Sequence, residues 1–128
     1  MSSASKNMNP DEVLEELARG SVLGATMFYP QDRVPLVVIK SSKTGFTIEF
    51  LRVRSVGIDT GHEPARYSGP FPVWDHDYTP DELELYTEQI VAANNRQVAR
   101  WSDQLGCYQM GGVPIRVGVA NYHRDFSY

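Results

Sequence analysis

Three groups of residues in this sequence have the types and spacing to do chemistry. The first is acidic and imidazole-bearing: Asp75, His76 and Asp77 stand in a row, with His62 and His123 elsewhere. Mixed imidazole and carboxylate ligands suit zinc, manganese or iron. The spacing matches no metal signature, since neither H-E-x-x-H nor an H-x-H pair occurs. In an extended segment Asp75 and Asp77 share one face and His76 takes the other. The expectation is therefore two solvated acids near a helix start, and no metal or other cofactor. The second group is Arg52, Arg54 and Arg66, beside Tyr67. Guanidinium forks bind phosphate or carboxylate bidentately, although arginines at strand ends more often pair with neighbouring acids, here Glu49 and Glu63. The third is aromatic: Tyr67, Phe71, Trp74 and Tyr78 fall within Y-S-G-P-F-P-V-W-D-H-D-Y-T. Such residues serve as core or as interface anchors, and a proline-stiffened segment loses little entropy on binding. Cys107 is alone, with no neighbouring histidine, and reads as structural.

Asp59-Thr60-Gly61 resembles the active-site loop of retroviral-type aspartic proteases, in which two such loops bring two carboxylates together across a dimer axis. The resemblance implies a homodimer with Asp59 at its centre. His62 departs from it, because a small residue is expected there, and no glycine-rich flap follows. An Asp that bonds the backbone and a Gly free to take positive φ also make an ordinary loop.

These groups need a scaffold. Asn9-Pro10-Asp11-Glu12 is a helix start, with a capping side chain, proline at the first position and acids at the positive end of the dipole. Val13, Leu14 and Leu17 make its apolar stripe, and Arg19-Gly20 ends it. Strands are expected over Ser21–Tyr29, Val34–Lys40 (apolar on both faces, hence central) and Phe46–Val53, whose period of two is the clearest strand pattern. Three strands joined by short turns form a meander. The Tyr67–Thr79 stretch is too rich in proline for a central strand and is expected to lie across the sheet, its rings closing the open end of the core. Thr79-Pro80-Asp81-Glu82 is a capping box. Leu83, Tyr86, Ile90 and Ala93, continued by Val98, Trp101 and Leu105, predict a long helix over Thr79–Leu105. Gly111-Gly112 between Cys107–Met110 and Val113–Val117 predicts a tight hairpin.

The 128 residues predict a tail over 1–8 and a single domain over 9–128. The net charge of −4 argues against a duplex-binding surface, and the lone cysteine and polar start point to a soluble protein of a reducing cytoplasm. The segment F-Y-P-Q-D-R-V-P-L-V-V-I-K-S-S-K-T-G-F-T-I-E-F resembles the β-meander of small bacteriophage-encoded proteins of uncharacterised function, as do G-P-F-P-V-W-D-H and the R-D-F-S-Y ending. It implies a phage-type protein acting in a bacterial host and transfers no functional residue.

The expected fold is α+β: a small curled SH3-like antiparallel sheet packed by one long and one short helix. The leading functional expectation is a non-enzymatic protein that binds a host or viral protein through Tyr67, Phe71, Trp74, Asp75, His76, Asp77 and the Arg52/Arg54 strand end. A small anionic ligand or nucleic acid held by Arg52, Arg54 and Arg66 is the second. An enzyme, either the D-T-G protease or a metal-dependent hydrolase, is the third. Oligomeric state is not legible.

Overall fold

The computed structural model describes residues 7–30, 32–53, 64, 66–85 and 96–125, excluding the side chains of 66, 71, 72, 74 and 125. Its elements run α1 (Pro10–Ala18), β1 (Leu23–Phe28), β2 (Arg33–Ser41), β3 (Thr47–Arg52), β4 (Arg66–Ser68), β5 (Phe71–Asp77), α2 (described over 80–85), β6 (Arg96–Ser102), β7 (Cys107–Met110), β8 (Val113–Gly118) and β9 (Asn121–Asp125). Strands β1, β2, β3, β6, β7 and β8 follow one another around a closed antiparallel barrel, sealed by β8 on β1 with Gly24 opposite Gly118. Strands β4, β5 and β9 form an antiparallel wing that joins the barrel ladder, among the described residues, at Arg33 opposite His123.

Alternation along the strands builds two cores. Leu23, Ala25 and Met27 of β1, Leu36 and Val38 of β2, Ile48 and Phe50 of β3, and Ile115 and Val117 of β8 fill the barrel. The odd-numbered positions of β2 and β3 face outward, where Val37, Leu51 and Val53 pack with Tyr78, Leu83 and Ala120 in a second core beneath the wing. A strand apolar on both faces is thus accounted for by burial on both faces.

Helix α1 closes the end of the barrel near the β2–β3 turn. The Asn9 side chain accepts from the Glu12 N–H at 2.9 Å, and the Glu12 carboxylate accepts from the Asn9 N–H at 3.1 Å, a complete capping box. Val13 is buried in the barrel core, and Met8 joins it, tied by its N–H to the Val117 carbonyl at 2.9 Å. Gly45 lies directly under this helix at φ +79°.

Two sequence expectations are corrected. The long Thr79–Leu105 helix does not exist, because Arg96–Ser102 is β6, paired with β3 and β7. In β6 the residues pointing in are Gln97, the small Ala99 and Trp101, whereas Val98 points out and is exposed. That inverted pattern set Val98, Trp101 and Leu105 at helical spacing. The α+β, SH3-like sheet under a long helix is accordingly replaced by a closed six-stranded barrel, with α1 and the described part of α2 as the helices among the described residues. The Tyr67–Thr79 stretch, in turn, forms the β4–β5 hairpin, with Pro72 opposite Tyr67 and β5 held between β4 and β9. Among the described residues no helix is long and apolar enough to cross a membrane.

Tyr108 is the largest fully buried side chain among the described residues. Its hydroxyl donates to the Gly45 carbonyl, and its ring meets Trp101 edge-on at 5.2 Å. Burial pushes its pKa up to about 12. The folded chain therefore holds this proton more tightly than the unfolded chain, which releases it near pH 10. The stabilisation is complete below pH 10 and is lost as pH rises from 10 towards 12. Tyr108→Phe should lower stability at pH 8 by about 1–3 kcal/mol, because the buried Gly45 carbonyl loses its donor. Urea midpoints at pH 8 and pH 11 should show the gap between variant and parent narrowing at the higher pH. A gap constant with pH would contradict the assignment.

Candidate functional site

A cleft of about 240 Å³ opens where the wing leaves the barrel, lined by Asp32, Arg33, Val34, Pro35, Arg52, Val53, Tyr122, His123 and Arg124. Its placement follows from the ladder. The start of β2 leaves its barrel partner at Phe28–Arg33 and meets β9 at Arg33–His123, so the two sheets diverge from the same residue. Pro35 and Val53 form the apolar floor, tied by the Val53 N–H donating to the Pro35 carbonyl at 3.0 Å. Arginines from three strands (Arg33 of β2, Arg52 of β3 and Arg124 of β9) ring that floor.

The arginines are held in different ways. Arg52 Nη2 donates to the Tyr29 hydroxyl at 3.4 Å. The Arg33 guanidinium lies 5.6 Å from the Phe28 ring centroid, within cation–π range. Among the described residues neither Arg33 nor Arg52 has a carboxylate within 4.0 Å. The expected pairing of Arg52 with an acid therefore does not occur among them, and its charge is available to the cleft. Asp32 is the one acid lining the cleft among the described residues. His123 contributes an imidazole whose buried Nδ1 makes no hydrogen bond among the described residues and stands 3.8 Å from Asp75 Oδ2.

Below the cleft, β5 and β9 carry a polar network. Asp75 and Asp77 share a face, as their spacing required, and stand opposite His123 and Asn121. The fully buried Asn121 amide Nδ2 donates to Asp75 at 2.8 Å and Asp77 at 2.7 Å. One amide thereby spaces two carboxylates that would otherwise repel. These acids are clamped, not simply solvated as the sequence suggested. Thr26 Oγ1 donates to the Val119 carbonyl at 2.6 Å and accepts from the Asn121 N–H at 3.0 Å, fastening β9 to the barrel wall.

His76 takes the opposite face and meets the Glu82 carboxylate at 2.9 Å. Glu82 also accepts from the Thr79 N–H at 3.0 Å, and Thr79 Oγ1 accepts from the Glu82 N–H at 3.2 Å, completing the second capping box. Partial burial alone would raise the Glu82 pKa, but the Thr79 and His76 hydrogen bonds and the imidazole charge outweigh it and hold the carboxyl below its ordinary value. The pair pins α2 to the wing.

Of the residues singled out in the sequence, Arg52 lines the cleft, Asp75 stands 3.8 Å from the lining His123, and Asp77 and His76 are bonded to Asn121 and Glu82. Tyr67 stands exposed on β4. Arg66, Phe71 and Trp74 belong to β4 and β5, but their side chains lie outside the described residues, as do Arg54, His62 and Asp59-Thr60-Gly61. Cys107 is buried at the start of β7. Among the described residues no group of three or more His, Cys, Asp or Glu is placed to hold a metal ion. Arg33, Tyr122 and Arg124 were missed. The available signal was the alternation at both strand ends, but only the β2–β9 bridge shows that those ends meet. No protein-family model matches the chain, and no curated protein or solved structure is detectably similar to it.

Proposed function

We propose that this protein is a binding module whose cleft holds a compact anionic group, a phosphate or carboxylate, between Arg33 and Arg52. The observation that carries the reading is the convergence of arginines from three strands on one small concave site, two of them without a carboxylate partner among the described residues. Charge-assisted bonds from planar guanidiniums are the strong, directional kind, and an apolar floor beneath them raises their value by excluding water. A volume near 240 Å³ suits a headgroup better than a large ligand. The reading is of binding rather than catalysis, because no nucleophile–base pair lines the cleft among the described residues.

Titration of the full chain with inorganic pyrophosphate, followed by calorimetry and by amide shifts, tests this. Saturable binding with shifts at Arg33, Arg52 and Val53 is expected. Arg33→Gln or Arg52→Gln should each weaken it at least about tenfold, since a hydrogen bond to a charged group contributes roughly 1.5–3 kcal/mol. No binding at millimolar pyrophosphate would withdraw the reading. Attention would then move to a protein partner docked on Tyr67, the most exposed large hydrophobic side chain among the described residues.

A further inference from the structure

The cleft does not end at Arg33. The Phe28 ring carries two guanidiniums, Arg33 at 5.6 Å and Arg116 of β8 at 5.2 Å from its centroid. Next in sequence, Tyr29 is exposed and bonded through its hydroxyl to Arg52. Arg52, Tyr29, Arg33, Phe28 and Arg116 thus make a band in which cations and aromatic rings alternate, leading from the cleft across the outside of the barrel. Fixed positive charges interleaved with rings match a chain of phosphates joined to planar bases. The phosphates are met by the guanidiniums, and the bases stack on rings and on guanidinium planes. A free phosphate or carboxylate would use only the cleft end of the band.

Building on the anion-binding reading of the cleft, we infer that the ligand is single-stranded nucleic acid, with one phosphate seated at Arg33 and Arg52 and the strand continuing over Phe28 towards Arg116. The net charge of −4 does not oppose this, because seven of the acids stand on the two helices. Asp11, Glu12, Glu15 and Glu16 lie on α1 at the far end of the barrel, and Asp81, Glu82 and Glu84 lie on α2. Asp32 at the cleft, and Asp75 beneath it at 3.8 Å from His123, are the acids to be accommodated. Single strands are favoured over duplex because the rings can stack only on unpaired bases.

Fluorescence anisotropy of a labelled twelve-nucleotide oligo-dT and oligo-U, with the matching duplex and with pyrophosphate as competitor, tests the inference on the full-length chain. Either single strand should bind at least tenfold more tightly than duplex, and pyrophosphate should displace it. Arg116→Gln should weaken the oligonucleotide several-fold and flatten the salt dependence by about one phosphate contact, while pyrophosphate affinity in calorimetry stays unchanged. Phe28→Leu should weaken the oligonucleotide with no change in salt slope. Pyrophosphate binding without oligonucleotide binding, or oligonucleotide binding indifferent to Arg116→Gln and Phe28→Leu, would overturn this inference and leave the cleft reading standing. Failure of both probes would remove both.

Discussion

Gly45→Ala should destabilise the protein by about 3 kcal/mol, far more than a methyl group normally costs in a turn. Two penalties combine. At φ +79° any Cβ meets the following carbonyl, worth roughly 1–2 kcal/mol. The added carbon would also stand 2.6 Å from the Pro10 carbonyl oxygen and 3.1 Å from Leu14 Cγ. Neither neighbour is the tip of a flexible chain, so relief requires α1 to lift and uncover Val13 and Met8. Gly111→Ala separates the two contributions. Gly111 has φ +60° but open space around its would-be Cβ, so only the dihedral penalty of about 1 kcal/mol applies. Urea midpoints of the two variants decide the matter. Equal losses would show that the packing of α1 on this turn is slack.

Thr26→Val should cost a similar amount, again about 3 kcal/mol, for an opposite reason. The substitution preserves shape and removes one oxygen. That oxygen serves two backbone groups, the Val119 carbonyl and the Asn121 N–H, and Thr26 and Asn121 are both fully buried. Each orphaned group costs roughly 1–3 kcal/mol where water cannot replace the partner. Thr26→Ser keeps the hydroxyl and should lose only about 1 kcal/mol for the methyl group. Because Asn121 also clamps Asp75 and Asp77, the damage should spread along the wing. Hydrogen exchange of Thr26→Val should therefore accelerate across β5 and β9 more than across β7 and β8. Uniform acceleration would mean that Thr26 stabilises the barrel as a whole rather than its junction with the wing.

The parts of this fold that were legible from sequence are those set by near neighbours. Both capping boxes, the β1–β2–β3 meander and the Gly111-Gly112 hairpin depend on residues a few positions apart, and the structure shows each of them. What escaped was set by distant contacts. In β6, Gln97 and Ala99 face the barrel and Val98 faces water, so burial follows the closure of the sheet and not local hydrophobicity. Of the cleft, Arg52 was visible because it ends a strongly alternating strand. Arg33 and Arg124 were not, because their proximity follows from the pairing of β2 with β9, shown among the described residues by Arg33 opposite His123. The acids of β5 were read correctly as sharing a face, but their clamp, Asn121, lies 44 residues from Asp77 along the chain.

The sealing of β8 onto β1 has a topological consequence. The six barrel strands are threaded in chain order and the last is bonded to the first, so as a sheet they form a ring with no natural beginning. Cutting that ring at any of its turns and joining its ends would give a circular permutant with the same set of neighbours. What makes the actual order distinguishable lies outside the ring. Helix α1 stoppers it on one side of the seam, and β9 leaves it on the other to bind the inserted hairpin. The arginine cleft opens where that departing strand crosses back over β2, and so belongs to the one part of the molecule that the ring's symmetry does not reach.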